Sequence, residues 1–430
     1  MTNLVELDMY LERLCDALGH MDRRASLKDY CQGLMLPIAR KSVEPLAAHI
    51  EPTQVRAKHQ ALHHFVAKSA WSDSAVLASA CGQVMPLLSA DTGHYWIVDD
   101  TGFPKKGRHS VGVARQYCGQ LGKQDNCQVA VSVSLATELG SIPIAYQLYL
   151  PRDWANDPVR RGVAGVPEGI AFATKPEIAL EQVRGALASG TPPGVVLADA
   201  GYGDDSGFRD GITELGMLYA VGIRPATTVW APGTAPLPPK QWSGRGRPPT
   251  RLRREAGNEP VSVKALALAL PPQAYRPVTW REGSNANLSS RFAAVRVRTA
   301  HEDYLGAEMR AEEWLLIEWP EGDVEPLKYF LSTAPCDAAL EHLVFVTKMR
   351  WRIERDYQEL KQEFGLGHYE GRGWRGFHHH ATLCIAAYGF LTMRRLQQPD
   401  VKKNIAEPTS FGLPDDYVAR GSRASAASCT

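Results

Sequence analysis

The chain has 430 residues with 48 Lys+Arg against 47 Asp+Glu, a formal net charge of +1, 44% hydrophobic residues and 22% charged residues. This composition is typical of a globular protein with two or three structural units and excludes global disorder, collagen and disulfide scaffolds. The near-zero net charge excludes a protein that holds DNA by bulk positive charge alone, although clustered basic residues would escape that argument. The sequence contains no apolar run of membrane-spanning length and no secretion-signal pattern at its start, so we expect neither.

Residues 1–90 are predicted to form a helical N-terminal domain. Apolar residues recur there at helix spacing, at Leu4, Leu7, Leu11, Leu14 and Leu18. A second apolar stripe follows Ser72-Asp73-Ser74, which has the composition of a helix N-cap. We expect this domain to be able to bind DNA ends, although it contains no clear helix-turn-helix signature.

The segment 91–224 alternates strand and helix patterns and is predicted to be the first part of a catalytic core. Strands are expected at 95–98, 127–135, 142–150, 195–198 and 218–223, and helices at 175–189 and 208–215. Three antiparallel-looking strands followed by helix, strand, helix and strand are typical of an RNase H-like mixed sheet with flanking helices. In this prediction the first strand ends at Asp99-Asp100 and the fourth at Asp199.

The rest of the chain is predicted to interrupt and then complete this core. Residues 225–335 combine Pro/Gly/Arg-rich loops with strand patterns at 292–298, 313–318 and 328–332, which indicates a β-rich insertion with a basic loop. Residues 336–397 supply the C-terminal helices of the core, beginning with one long helix at 337–365. Residues 398–430 turn small and polar and are predicted to be a flexible tail.

Three acids lie where such a fold could gather them, namely Asp100, Asp199 and Glu354. Two divalent cations about 3.5–4 Å apart require several carboxylate oxygens that converge on one point. Aspartates at strand ends are common without any function, so the helical acid carries more of the argument. At about 100° per residue, Arg350, Glu354 and Lys361 fall within roughly 40° of each other beside an apolar stripe, although Arg350 and Glu354 could also form a surface salt bridge.

The run RWRIERDYQELK, from Arg350 to Lys361, resembles the C-terminal signature of DDE-class insertion-sequence transposases. It matches the branch with a Tyr-Arg-Glu-Lys type signature and a β insertion before the catalytic Glu, with Thr347 at the position of the Tyr. The segments VDDTGFPKKG (98–107) and VVLADAGYG (195–203) resemble the first and second aspartate motifs of that family, and RGFHHHATLCIAAYGFL (375–391) resembles its closing helix. Three motifs in this order are specific, whereas any one of them is not.

The resemblance implies a metal-dependent endonuclease and strand transferase that cuts and joins the ends of its own insertion sequence. Asp100, Asp199 and Glu354 would be the catalytic residues and would ligate two Mg²⁺ ions, for which Mn²⁺ can substitute. The family's first acid is followed by Ser or Thr, which selects Asp100 before Thr101 and leaves Asp99 as the alternative. A catalytically inactive, transposase-derived DNA-binding regulator is the other interpretation, and the intact set of acids argues against it.

The same resemblance implies partners and a location. The partners are double-stranded DNA, as terminal repeats and as target, and a second copy of the chain in a homodimeric DNA complex. The protein would act in a bacterial-type cytoplasm in association with the nucleoid.

Several basic residues are candidates for DNA contacts. Arg350 and Lys361 would hold phosphates near the scissile bond, Arg as a planar fork and Lys as a point charge. Every charge between Asp100 and Asp125 is positive, a run that includes Lys105, Lys106 and Arg108. These residues predict a phosphate-binding surface, with a solvated hairpin as the alternative.

A second basic run begins at Arg245-Gly246-Arg247-Pro248. It resembles the core of an AT-hook, in which arginines enter a narrow minor groove. A flexible basic loop is the alternative, and DNA contact by Arg245 and Arg247 is compatible with both.

Overall fold

The structure is a computed structural model that describes residues 2–88, 93–282, 287–306 and 308–398. The predicted tail, except Gln398, lies outside these residues. The α-helices are α1 (Thr2–Asp16), α2 (Arg24–Met35), α3 (Val43–Ile50), α4 (Val55–Ala67), α5 (Asp73–Leu88), α6 (Arg152–Ala155), α7 (Pro158–Ala164), α8 (Lys175–Ala188), α9 (Ala200–Gly203), α10 (Ser206–Glu214), α11 (Val263–Ala269), α12 (Leu340–Lys348), α13 (Trp351–Gln362) and α14 (Trp374–Gln397). The strands are β1 (Tyr95–Pro104), β2 (Ala114–Cys118), β3 (Lys123–Ala136), β4 (Ser141–Leu148), β5 (Val195–Ala198), β6 (Leu218–Ile223), β7 (Thr228–Trp230), β8 (Val261–Ser262), β9 (Arg276–Glu282), β10 (Asn287–Thr299), β11 (Glu313–Glu318) and β12 (Lys328–Ser332).

The chain divides into two compact units, and both mix helices with strands, which confirms the α/β prediction. The first unit contains residues 1–94 and 98–192 and the chain from 352 onward. The second unit contains residues 95–97 and 193–351. Strand β1 therefore contributes its first three residues to the second unit and the remainder to the first.

In the first unit the N-terminal helices share one apolar core with the strands and with α14. Helix α14 packs against α2, α4, α5 and β4. The predicted leucine stripe of α1 is buried at Leu7, Leu11, Leu14 and Leu18, whereas Leu4 is 37% exposed. Strand β3 lies between β2 and β1 and also pairs with β4. The helices of residues 2–88 thus belong to the same compact unit as β2–β4.

In the second unit, parallel strands lead into an antiparallel meander. Strand β5 runs parallel to the first residues of β1 and parallel to β6. Strand β12 then pairs antiparallel with β6, and β11 and β10 follow in order. Helix α12 packs against β9 and β10, where Val278, Phe292 and Leu343 form an apolar cluster. The strands predicted as a β-rich insertion therefore continue the sheet that contains β5 and β6.

The predicted long helix at 337–365 is wrong, because two helices occupy that stretch. Helix α12 ends at Lys348, residues 349 and 350 form a turn, and α13 begins at Trp351. The Thr347 hydroxyl donates to the carbonyls of Leu343 (3.0 Å) and Val344 (2.9 Å). Such back-bonding slightly destabilises and often bends helices, and α12 ends one residue after Thr347.

The first strand was predicted too short, since β1 continues beyond Asp99-Asp100 to Pro104. The neighbouring strand β3 extends over 14 residues and supplies a partner for the added residues. The two acids therefore lie inside a strand and not at its end.

Within the described part of the chain, no helix is long and apolar enough to cross a membrane.

Candidate active site

Asp199 immediately follows β5 and caps the short helix α9. Its Oδ1 accepts a hydrogen bond from the backbone N–H of Gly201 at 2.8 Å, and its carbonyl accepts from Gly203 N–H at 2.8 Å. An Asp at this position satisfies N–H groups that the first helical turn leaves without partners. The hydrogen bond to Gly201 fixes the Asp199 side chain, which is nevertheless exposed and therefore accessible.

Two glycines allow α9 to lie directly on β6. A Cβ added to Gly203 would overlap the carbonyl oxygen of Gly222, and a Cβ on Gly222 would come within 3.0 Å of Ala200 N. Only glycine permits two backbones to approach this closely. The close approach holds the turn that carries Asp199 and explains the glycine at position 203 of the AGYG segment.

Asp100 forms an ion pair with the first residue of α8. The Lys175 ammonium lies 2.9 Å from Asp100 Oδ2, and both side chains are mostly buried at 30% and 23% exposure. Helix α8 begins with a capping box in which Thr174 and Glu177 satisfy each other's backbone N–H groups. The well-defined helix start therefore places a cation against Asp100.

Asp99 and Asp100 point to opposite sides of β1 because side chains alternate along a strand. Gly102 lies on the same face of β1 as Asp100, and a Cβ on Gly102 would meet the Cys118 sulfur. Phe103 lies on the same face as Asp99, and its ring centre lies 5.2 Å from the Lys361 ammonium of α13. Asp99 thus lies on the α13 side of the strand, and Asp100 lies on the side where Lys175 approaches.

Helix α13, which carries Glu354, lies against β1 within the first unit. The Tyr357 hydroxyl donates to the Asp99 carbonyl at 3.3 Å and shares a 2.7 Å hydrogen bond with the Ser132 hydroxyl. Burial raises the pKa of Tyr357 well above its ordinary value, and the charge of Asp99 raises it further, by more than that of Asp100. The phenol is therefore a neutral hydrogen-bonding group between α13, β1 and β3.

Lys361 lies two turns after Glu354 and contacts the same strand. Its ammonium donates to the Gly102 carbonyl at 3.0 Å and to Gln120 Oε1 at 3.2 Å. Burial lowers the pKa of Lys361 to about 8, because desolvation disfavours the charged form. Lys361 therefore contacts the strand that carries Asp99 and Asp100.

A buried carboxylate fixes the opposite side of α13. Asp356 is fully buried, and its Oδ1 accepts hydrogen bonds from Ser141 Oγ at 2.6 Å and from the Tyr388 hydroxyl at 2.7 Å. Burial raises the pKa of Asp356 to about 6. This network ties α13 to β4 and to α14 and so determines where Glu354 is held.

The other two residues of the predicted helical signature are placed differently from each other. Glu354 lies in the first turn of α13 and is exposed, whereas Arg350 lies in the turn before that helix and is half-buried. The helical-wheel argument therefore applies to Glu354 and Lys361 only. Trp351 begins α13, and the Arg281 guanidinium lies 4.0 Å from the centre of its ring.

The predicted basic run near the first acids divides into two kinds of residue. The Lys105 ammonium donates to the Tyr369 carbonyl at 2.9 Å, and burial lowers the pKa of Lys105. Lys105 is therefore engaged in the fold of the first unit. Lys106 and Arg108 are exposed. In the second unit Arg245 and Arg247 are exposed in an extended loop.

Three residues near this site were missed by sequence reasoning, namely Lys175, Asp356 and Tyr357. The signal for Asp356 was present, since it lies three residues after Ile353 and four before Leu360 on the apolar stripe of α13. An acid on an apolar face predicts a buried, hydrogen-bonded carboxylate. Lys175 had no comparable local signal, because its pairing depends on how α8 meets β1.

The donor chemistry of the predicted acids suits a hard divalent cation. Carboxylate oxygens are the ligands that Mg²⁺ and Mn²⁺ prefer in proteins. Among the residues that the structure describes, no group of three or more His, Cys, Asp or Glu side chains is already gathered as a metal site. The residue types thus fit such an ion, and Asp100 is in contact with the Lys175 ammonium in this structure.

A family model described as DDE superfamily endonuclease matches residues 13–287, which is more than half of the chain. The chain therefore belongs to the DDE superfamily endonuclease family. The matched region includes Asp99, Asp100 and Asp199, and it ends before Glu354.

Among curated proteins, the chain is similar to the "Probable transposase for insertion sequence element IS701" of Microchaete diplosiphon, with 32% identity over 166 residues. That alignment spans 38% of this chain and 40% of the relative's length. Among solved structures, the NurA nuclease from Sulfolobus solfataricus matches with 9% identity over 74% of this chain and 87% of that chain. Its TM-score of 0.24 is too low to support an argument about fold.

Proposed function

We propose that the protein is a DNA transposase, a metal-dependent endonuclease and strand transferase that cuts and joins the ends of its own insertion sequence. One observation carries the proposal beyond family membership. The helix that bears Glu354 contacts β1 at Asp99 and Gly102, through Tyr357 and Lys361. Glu354, which follows the region matched by the family model, therefore lies on a helix that contacts β1, the strand of Asp99 and Asp100.

The strand topology supports an RNase H-like core. The first unit has the order β4–β3–β1, and the second has the order β1–β5–β6, so β1 is common to both. Residues Tyr95–Ile97 run parallel to Val195–Leu197. Asp100 lies three residues after the paired segment of β1, and Asp199 directly follows β5. We infer that the two acids act together.

Asp100, Asp199 and Glu354 would hold the metal ions, two Mg²⁺ in the full proposal, with Asp99 as the alternative first ligand. When bound, such ions supply an activated water and stabilise the leaving oxygen of a phosphodiester. The resemblance to the transposase motifs favours Asp100, whereas the alternation of side chains along β1 favours Asp99. The chain's own cations would orient the DNA, with Lys361 and Arg350 near the scissile phosphate.

The proposed partners are double-stranded DNA, as terminal repeats and as target, and a second copy of the chain. Exposed Lys106 and Arg108 are suited to neutralise backbone phosphates in the first unit. A homodimer in the DNA complex follows from the need to join two ends in one reaction. This part of the proposal rests on the reaction and not on a contact in the structure.

The test uses purified full-length protein and a labelled duplex that carries the DNA flanking the gene. With Mg²⁺ or Mn²⁺, discrete nicks at the element boundary are expected, and a chelator should abolish them. The Asp199→Asn protein should bind the duplex without cutting it, and one of Asp99→Asn and Asp100→Asn should behave in the same way.

Cleavage by the Asp199→Asn protein would overturn the proposed metal site. Cleavage by both the Asp99→Asn protein and the Asp100→Asn protein would overturn it as well. A retarded complex without cleavage under either metal would support the alternative, an inactive transposase-derived regulator. Because the binding of every variant to the same duplex is measured by gel retardation, a variant that binds but does not cut has lost the chemistry and not the fold.

A further inference from the structure

A loop of the second unit, residues 240–251, carries four exposed basic residues, and we call it the basic loop. These residues are Lys240, Arg245, Arg247 and Arg251. Every residue of the basic loop is exposed, and the sequence contains no acid between 240 and 254. In a chain with a net charge of +1, this is a strong local concentration of positive charge.

The base of the basic loop is fixed to the fold. Leu237 and Arg253 exchange two backbone hydrogen bonds of 2.9 Å, and the buried Leu252 donates its N–H to the Gly306 carbonyl at 3.1 Å. The Arg254 guanidinium pairs at 2.5 Å with the carboxylate of Asp303, which is 3% exposed. Arg253 and Arg254 are therefore anchoring residues, whereas the arginines of the loop itself are exposed.

The anchor is reinforced on its inner side. Trp230, which is 1% exposed, donates its indole N–H to the other oxygen of the same Asp303 carboxylate at 2.5 Å. A carboxylate that is buried and paired with both an arginine and an indole is a rigid support. The basic loop is thus presented from a firm base, and ordering it on a ligand costs less entropy than ordering a free linker would.

The tip of the basic loop is shaped by glycines and not by packing. Gly244 and Gly246 have φ values of +81° and +75°, and an added Cβ would meet nothing within 4 Å at either. The Trp242 indole N–H donates to the Gly246 carbonyl at 3.1 Å and closes the turn. The two arginines at the tip therefore alternate with residues that add no side-chain width.

This alternation suits the minor groove of DNA better than it suits a phosphate surface. The minor groove is about 6 Å wide, so a chain with bulky side chains between its arginines could not enter it. Arginine is drawn into the narrow minor groove of A/T-rich segments, where the negative potential is enhanced. Phosphate neutralisation alone would require neither the glycines nor arginine in place of lysine.

We propose that the basic loop reads the minor groove of A/T-rich DNA by inserting Arg245 and Arg247. The inference rests on the proposed function in that it takes DNA as the partner, but it requires neither metal nor catalysis. It deepens that function by giving the protein a preference for groove shape. Arg251, which lies outside the glycine-flanked tip, contacts phosphates only.

The test measures binding of full-length protein, with chelator present, to two labelled duplexes of equal length, one with an A-tract and one rich in G/C. Wild type should bind the A-tract duplex about tenfold more tightly, the scale of one specific contact. Arg245→Lys/Arg247→Lys should reduce this ratio to near one while the slope of log affinity against log salt is unchanged, since the charge is kept. Arg251→Lys is the matched control and should keep the preference.

Equal affinity of wild type for the two duplexes would overturn the inference, as would a preference that survives Arg245→Lys/Arg247→Lys. Competition offers a second measurement that needs no variant. A drug that binds the minor groove should release the wild type from the A-tract duplex, and failure to do so would also contradict the inference. Absence of binding to either duplex would refute the proposed function as well, so the two failures are distinguishable.

Discussion

The buried carboxylate of Asp356 allows a quantitative test of how α13 is held. Its Oδ1 accepts hydrogen bonds from the side chains of Ser141 and Tyr388. Asp356→Asn keeps an acceptor oxygen for both donors and removes the buried charge. The substitution therefore removes the cost of burying that charge, against which stands the cost of any amide N–H that finds no acceptor.

The expected size follows from the pKa of Asp356, which burial raises from 3.8 to about 6. At 1.36 kcal/mol per unit, the shift corresponds to about 3 kcal/mol. The folded state binds the proton more tightly than the unfolded state does. The folding stability that comes from this tighter proton binding is thus fully present below about pH 4 and is lost as the pH rises through about 6. At neutral pH the buried carboxylate costs stability that Asn would not.

The assay is urea unfolding of wild type and variant at about pH 4 and about pH 8. Asp356→Asn should be more stable than wild type at the higher pH, by up to about 3 kcal/mol, and the advantage should shrink in acid. Glu359→Gln is the matched control on the same helix. Glu359 pairs with Arg355 and Arg395 at 2.6 Å each, so its substitution should destabilise the protein at the higher pH.

An Asp356→Asn protein that is no more stable than wild type at the higher pH would refute this reasoning. The same conclusion would follow if its advantage did not depend on pH. The first result would mean that the two hydrogen bonds to Oδ1 outweigh the cost of burying the charge, and the second that the advantage does not come from the charge.

Two further predictions concern the strand acids. Lys175→Met removes the ammonium 2.9 Å from Asp100, so the Mg²⁺ concentration for half-maximal cleavage should fall, and an unchanged requirement would contradict Asp100 as a ligand. Gly203→Ala should destabilise the second unit by about 3 kcal/mol or more, because its Cβ would overlap the Gly222 carbonyl. Gly185→Ala, in an open helical position, should instead stabilise by about 0.5–1 kcal/mol, and urea midpoints that reverse this order would refute the packing argument.

Much of the sheet could be predicted from sequence because its strands are continuous apolar runs. The bounds of β5, β6, β11 and β12 coincide with the predicted ones, since each strand is flanked by turn residues or charges. The start of α8 was equally readable from Thr174 and Glu177, which form the capping box. These features depend on local chemistry, which the sequence displays directly.

Sequence reasoning failed where contacts beyond simple periodicity decide the structure. Helix α12 ends one residue after Thr347, whose hydroxyl bonds to the Leu343 and Val344 carbonyls, although threonine is also compatible with an unbroken helix. The contact of the Lys105 ammonium with the Tyr369 carbonyl, 264 residues further along the chain, could not be read from the local sequence. The choice between Asp99 and Asp100 likewise depends on which helix packs on each side of β1. Periodicity carries no information of this kind.

The central claim, that Glu354 acts with the strand acids, is tested most directly by one comparison of cleavage rates. Glu354→Gln is compared with Glu363→Gln, a second exposed acid just beyond the other end of α13, on a labelled boundary duplex with Mg²⁺ under single-turnover conditions. We expect Glu354→Gln to lower the cleavage rate by about a hundredfold or more while DNA binding persists, and Glu363→Gln to cut like wild type. A Glu354→Gln protein that cuts at the wild-type rate would contradict the account.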